Sequence, residues 1–411
     1  VTDSAARTRS GLILVLAGTV VSAASSFIVL LIVAPALGPA GYAQFSVYWA
    51  ALFMVVAVLF GVQQESTRAV AAAPATDEDD PARGPLTSVL AFALVVAATL
   101  LVAVGASSPV WSEALFGPGA GGWGFPLALA VASYALVAAT NGILAGSGRW
   151  GPFSLLAVID GALRLALVAL ALALGLDGTA LAWAVAIPFP VSLAIVVLGN
   201  RRVIRARAIV AGTPGRLAAN TARTLAASVA TAILINGFPV FLSLFGRTDA
   251  ATLGAVILAV TLTRAPILVP LTALQSMLIA RLSAVREGRG RLLAAVLGIV
   301  AALTGLVAAF VWLWGGPLLA RFFGEGFVLS SATLAGLVAA AGALGVLTAT
   351  GAAALARERH TAFAAGWLAA AVLALALLAL LPLPLEARVV IALLAGPLLG
   401  AVVHLAVTRD R

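Results

Sequence analysis

The chain has 411 residues, of which 63% are hydrophobic and only 9% charged, with no cysteine, two histidines and a formal net charge of +9. A water-soluble domain needs a charged surface, and this composition excludes one. It also excludes disulfide frames, thiolate or histidine-cluster metal sites and, because every basic residue is arginine, any phosphate loop built on lysine.

Apolar stretches long enough to cross a hydrocarbon layer of roughly 30 Å recur from end to end. Twelve spans are expected, at 12–33, 45–62, 87–105, 125–146, 153–175, 179–199, 218–245, 250–280, 292–315, 330–355, 361–381 and 388–407. Span one carries Thr19, Ser22 and Ser26 at the spacing of one helix face. Hydroxyls so placed serve close helix packing or a polar pathway. The turn LGPAGYAQF (37–45) follows, and Tyr48 and Trp49 read as part of an interfacial aromatic belt. Span two ends in QQESTR (63–68), where Glu65 and Arg68 can pair. Gln64, Glu65 and Arg68 are candidates for an inner gate, with a plain helix-end cap as the alternative. ATDEDDPARGP (75–85) reads as a solvated inner loop, and 106–124, rich in glycine, as the longest outer loop.

Gly142 and Gly146 of span four make a GxxxG pattern, as do Gly396 and Gly400 of span twelve; both read as close packing. Asp160 and Arg164 interrupt span five, about 40° apart on one helix face and within pairing reach. Unpaired charges are costly at membrane depth. The pair either locks span five to its neighbours or forms a polar wall of a pathway. In span seven, Arg223 is close enough to the inner surface to snorkel, and Asn236 begins NGFP, a weak point in the helix. Pro239, Pro266 and Pro270 are expected to break spans seven and eight within the membrane, which is tolerable beside a cavity. Arg264 in span eight has no acidic neighbour in sequence and shares a face with Gln275. An intramembrane arginine is a functional candidate by default. Its guanidinium could clamp a diphosphate or sugar acid, pair with an acid from another helix, or snorkel outward. His404, near the end of span twelve, reads as structural.

With both termini inside, 18 of the 24 arginines fall on inner segments and three on outer loops, as the positive-inside rule requires. The net charge then sets topology and touches anionic lipid, with no call for nucleic acid. Arginine without lysine suits a GC-rich bacterial source, which places the chain in a bacterial inner (plasma) membrane with cytoplasmic termini. The halves repeat weakly: an offset of 211 places Gln64 on Gln275, and one of 213 places Arg68 on Arg281. Both lie near half the chain length, as a duplication predicts. The expected fold is therefore all-α, a polytopic membrane protein with about 12 transmembrane helices. These form two six-helix lobes, 1–210 and 211–411, related by a pseudo-twofold along the membrane normal.

Three motifs now converge. They are Leu37-Gly38-Pro39-Ala40-Gly41-Tyr42-Ala43-Gln44-Phe45, Gln64-Glu65-Ser66-Thr67-Arg68, and Gly142-Ile143-Leu144-Ala145-Gly146-Ser147-Gly148-Arg149-Trp150 followed by Asp160 and Arg164. In this order they resemble bacterial polysaccharide-biosynthesis membrane proteins of the oligosaccharide-flippase type, within the multidrug/oligosaccharidyl-lipid/polysaccharide exporter superfamily. Ala43 stands where that family usually has glycine. The match covers roughly residues 10–170, and the second half matches only in span pattern. The resemblance implies an alternating-access carrier, not an enzyme, that turns a sugar on a polyprenyl pyrophosphate from the inner to the outer leaflet. No cofactor is expected.

The candidate substrate-pathway residues are Arg264, Gln275, Asn236, Arg223, Asp160, Arg164, Thr19, Ser22 and Ser26. Asp160 and Glu65 are the acids placed to sense a coupling cation. A cation-coupled multidrug exporter on the same fold is the rival reading, and the intramembrane arginines, which repel cations, speak against it. A membrane glycosyltransferase or a scaffold is a further alternative. A transferase needs a carboxylate near a large outer domain, which the loop 106–124 with its lone Glu113 does not supply.

Overall fold

A computed structural model describes residues 2–72, 85–246, 248–284 and 288–409. The expected acidic loop up to residue 84, and Arg247, lie outside the described residues. Among those described, eleven helical stretches are long and apolar enough to cross a membrane. The first, α1 (Thr2–Ala71), holds spans one and two, so the twelve expected spans are all present. The two spans part at Gly38, whose φ of 65° lies in the left-handed region that a side chain resists.

Spans three to five are α2 (Val89–Phe116), α3 (Gly124–Gly146) and α4 (Trp150–Ala173). Span six is split into α5 (Gly178–Ala186) and α6 (Pro188–Arg207). Span seven is α7 (Pro214–Ala232), a π turn (Ile233–Gly237) and α8 (Phe238–Phe245). Spans eight to twelve are α9 (Ala250–Ala284), α10 (Arg289–Phe323), α11 (Ser331–Leu355), α12 (His360–Leu380) and α13 (Leu385–Arg409).

Three local outcomes differ from the sequence reading. The region 106–124 is not a long loop, because α2 runs on through Pro109 to Phe116. Proline has no N–H for the carbonyl four residues back, and here the Ser108 hydroxyl donates to that Gly105 carbonyl instead (2.9 Å). Pro266 and Pro270 do not break span eight, which stays one helix; the break falls in span seven alone, one turn before Pro239. Short strands β1 (Leu86–Ser88) and β2 (Ile209–Ala211) pair antiparallel and tie the start of span three to the end of span six.

The chain divides into two compact units, Val1–Ala36 with Val47–Ala232, and Leu37–Ser46 with Ile233–Arg411. Each is packed through small residues, the usual device where lipid removes any hydrophobic drive between helices. In the first unit Gly142 lets span four lie against Ser66 and the Gln63 carbonyl, and Gly146 meets Thr67 and Val70 of span two. Gly18 of span one meets Ser154, and Gly161 of span five meets Ser22, so spans one and five pack in the same way. The first half of span seven belongs to this unit because Gly61 lets span two touch its backbone at Leu225, with Thr224 donating to the Gly61 carbonyl (3.0 Å). In the second unit Gly396 and Gly400 seat span twelve on Ala370 and the Gly366 carbonyl. His404 is buried there between the Thr350 hydroxyl and the Phe363 carbonyl, as a structural histidine should be.

Gly142→Leu should therefore destabilise the protein by about 1–3 kcal/mol, the range for overpacking a close contact. Gly298→Leu, where a Cβ meets nothing within 4 Å, should leave stability unchanged. Melting curves of the purified protein in detergent check both.

Candidate functional site

The charged side chains inside the membrane set the site. Pro239 deprives the Ile235 carbonyl of its ordinary helical partner, and the π turn leaves the neighbouring backbone irregular. Arg264 fills the gap. Its Nη1 donates to the carbonyls of Leu234 (3.2 Å) and Ile235 (3.3 Å). Its guanidinium carbon lies 5.8 Å from the Phe238 ring centre. Fourteen helical rises from Ala250 put Arg264 about 21 Å in from that end, within a layer of roughly 30 Å. The alternatives of an acidic partner and of snorkelling are both set aside by this geometry. The Nη2 nitrogen is buried with no hydrogen-bond partner. One side of the guanidinium is thus committed to backbone, and the Nη2 donor is left unused.

Asn236 lies half-buried in the same π turn. Gln275 is half-buried on span eight, about 16 Å further along the helix axis than Arg264. The structure thus brings Asn236 to the Arg264 anchorage and leaves Gln275 three turns away.

In the first unit Arg164 is 1% exposed, and its Nη2 lies 2.7 Å from both carboxylate oxygens of Asp160. Nε donates to the Val185 carbonyl (3.3 Å), just ahead of the break at Pro188. Aromatic rings surround the guanidinium, with Phe189 at 4.6 Å, Phe53 at 5.2 Å and Trp49 at 6.0 Å. The charge pair is therefore neutralised and sealed. Tyr48 is fully buried, donates to the Ala182 carbonyl and stacks edge-on against Phe116 and Trp123. The expected aromatic belt is corrected here: Tyr48 and Trp49 face protein, because the Arg164 box and the split in span six need them inside.

The remaining candidates scatter. Glu65 is buried, accepts from Arg68 Nε (2.7 Å) and from Asn220 Nδ2 (3.1 Å), while Gln64 is exposed. Arg223 is exposed, about two turns beyond Arg216 at the start of span seven. On span one, Thr19 is exposed with its hydroxyl turned to the Val15 carbonyl (2.8 Å). Ser22 packs on Gly161, one residue from Asp160, and Ser26 is half-buried.

No family model matches the chain. Over 391 residues it is 38% identical to Mb3654, an uncharacterized protein of Mycobacterium bovis, across 94% of this chain and 89% of that one. Over 401 residues it is 38% identical to Rv1510, an uncharacterized protein of Mycobacterium tuberculosis, across 96% and 90%. The chain belongs to the family of these mycobacterial proteins. The family's fold is that of solved MOP superfamily transporters. An inward-facing multidrug resistance MATE transporter aligns with a TM-score of 0.74 at 15% identity, over 94% of each chain. Its outward-facing counterpart gives 0.64 at 15%, over 97% of this chain and 94% of that one. A MOP superfamily transporter from Pyrococcus furiosus, described as having a binding pocket of reversed polarity and a different function, gives 0.62 at 16%, over 98% and 94%.

Two site features of this family member escape sequence reasoning. Asn220 joins Glu65 across 155 residues, a contact without local pattern. Arg388 sits at the start of span twelve but is 8% exposed, donating to the carbonyls of Phe245, Gly246 and Leu378. A basic residue near a helix end looks like a topology signal, and only the packing shows that it caps two other helices.

Arg164→Leu should cost about 3–5 kcal/mol because it strands a buried carboxylate, whereas Asp160→Leu with Arg164→Leu should recover most of that loss. A double-mutant cycle on melting temperature reads the difference. Arg264→Met should destabilise less in a Pro239→Ala background, where the Ile235 carbonyl regains a helical N–H. Equal losses in both backgrounds would show that the carbonyl clamp is not what Arg264 supplies to the fold.

Proposed function

We propose that the protein is a flippase that moves a polyprenyl-pyrophosphate-linked oligosaccharide from the inner to the outer leaflet by alternating access. The arginine-rich side faces the cytoplasm of a bacterial cell. One observation carries the reading: a guanidinium inside the membrane has a donor nitrogen without a partner, and no carboxylate among the described residues neutralises it. A pyrophosphate supplies the missing acceptor and the opposite charge, and charge-assisted hydrogen bonds of this kind are the strong ones. The backbone clamp fixes the guanidinium before substrate arrives, so little side-chain entropy is lost on binding.

Within the second unit, Arg264 takes the phosphate, and Asn236 and Gln275 take sugar hydroxyls. In the first unit, exposed Arg223 meets the anionic head at the cytoplasmic surface. Thr19, Ser22 and Ser26 offer hydroxyls along span one. Gln64 and the Glu65–Arg68 pair, held by Asn220, form a latch at the cytoplasmic end of span two. Asp160 and Arg164 set the shape of the first unit and do not bind substrate. A coupling cation is not proposed at Asp160 or Glu65, because it would have to displace an arginine from either carboxylate.

The second reading is export of small organic cations, favoured by the fold shared with multidrug transporters. The charge of Arg264 weighs against it. The Pyrococcus furiosus transporter, with its pocket of reversed polarity, supports the idea that this fold accepts substrates of more than one charge.

The test is leaflet accessibility of a fluorescent polyprenyl-diphosphate oligosaccharide in proteoliposomes. Arg264→Gln keeps donors for the Leu234 and Ile235 carbonyls but removes the charge. It should retain the wild-type melting temperature and lose about tenfold or more in flipping rate, the scale of a lost charged hydrogen bond. Wild-type protein that moves no lipid but extrudes organic cations would transfer the assignment to the second reading.

A further inference from the structure

Two apolar cavities lie along a single crevice between spans eight and nine. The first, about 320 Å³, runs from Ile267 to Arg281 on span eight, and the second, about 240 Å³, from Ala259 to Pro266. They meet where Ile267 and Val300 are buried against Val338 and Ala341 of span ten, which floors the crevice. From Ala259 to Arg281 is 22 helical rises, or about 33 Å, so the crevice is as long as a hydrocarbon layer of roughly 30 Å is thick. Its walls are apolar: the Thr263 hydroxyl in the second cavity is spent on the Ala259 carbonyl (2.7 Å). Leu274, Met277 and Ile299 in the first cavity are 53%, 55% and 68% exposed.

The two mouths differ. Arg281, exposed, stands at the arginine-rich end, and among the described residues no acidic residue lines either cavity. The opposite end is lined by Phe310, Phe322 and Phe323, with no charge in the lining among the described residues. One cationic end and one apolar end suit a ligand with a single anionic head and a chain that continues past the membrane midplane. A bilayer phospholipid reaches only about half of the core from its own leaflet. We infer that the crevice between spans eight and nine holds the isoprenoid chain of a polyprenyl phosphate, with its phosphate on Arg281. This inference rests on the proposed transport of a lipid-linked sugar and adds where the carrier lipid docks at the cytoplasmic surface before its phosphate moves on to Arg264. A basic residue at the membrane surface adds only a modest attraction toward anionic lipid, so Arg281 orients the lipid and the apolar slot selects it.

The experiment is photolabelling of the full chain in proteoliposomes with a diazirine-bearing polyprenyl phosphate, mapped by peptide mass spectrometry. Adducts should concentrate on Leu274, Met277 and Ile299. Excess unlabelled polyprenyl phosphate should suppress them about tenfold, a 1.4 kcal/mol preference or more, while equal phosphatidylglycerol leaves them nearly unchanged. Leu274→Trp with Ile299→Trp fills the slot and should remove the adducts at an unchanged melting temperature. Arg281→Gln should weaken labelling by the phosphate but not by the neutral polyprenol. Adducts spread evenly over lipid-facing helices, or displaced equally by phosphatidylglycerol, would overturn the inference. Crevice labelling in a protein that flips no lipid-linked sugar would leave the slot and remove the transport reading. Flipping without crevice labelling would do the reverse.

Discussion

Inside a hydrocarbon layer each backbone N–H and C=O needs a partner from the protein itself, and the charged residues of this chain follow from that constraint. Pro239 takes away the Ile235 carbonyl's partner, and Arg264 replaces it. Arg164 serves Val185 beside the split at Pro188. Arg388 closes the carbonyl end of span seven. At Pro109 a serine hydroxyl is enough, because the freed Gly105 carbonyl lies on the same helix. Arginine suits the other positions because its planar fork carries several donors and holds its charge when buried.

The electrostatic consequence separates the two units. In the first, Arg164 and Arg68 are each matched by a carboxylate, so these pairs add little net field. In the second, Arg264 is bound only to neutral carbonyls, and its charge is left for something else to meet. The same residue both repairs a broken helix and carries a positive charge inside the membrane. The proposed binding role draws on the structural one, which fixes the geometry that binding would need.

Small residues do the complementary work. Gly61, Gly142, Gly146, Gly366 and Gly400 allow backbone-to-backbone approach, which supplies the van der Waals contact that substitutes for hydrophobic drive in lipid. Span nine has such contacts with span ten, where Gly342 meets Thr304 and Gly345 meets Val300. Its seat is on span ten, and the crevice lies between it and span eight.

The amino-acid sequence by itself determined the twelve spans, their small-residue packing faces and the pairing of Asp160 with Arg164, because hydropathy, GxxxG spacing and an i, i+4 pair are local properties. It also marked Arg264 and Pro239 as unusual, since charge and proline are visible one residue at a time. It misplaced the ends of spans three and nine, where Gly, Ser and Pro look like loop but the helices run on. Only the tertiary structure decided that Pro239 opens span seven while Pro266 and Pro270 leave span eight whole, that Tyr48 turns inward, and that Arg264 holds carbonyls 29 and 30 residues away. Those outcomes depend on which donor from a distant segment reaches a freed carbonyl, and no pattern within one helix encodes that.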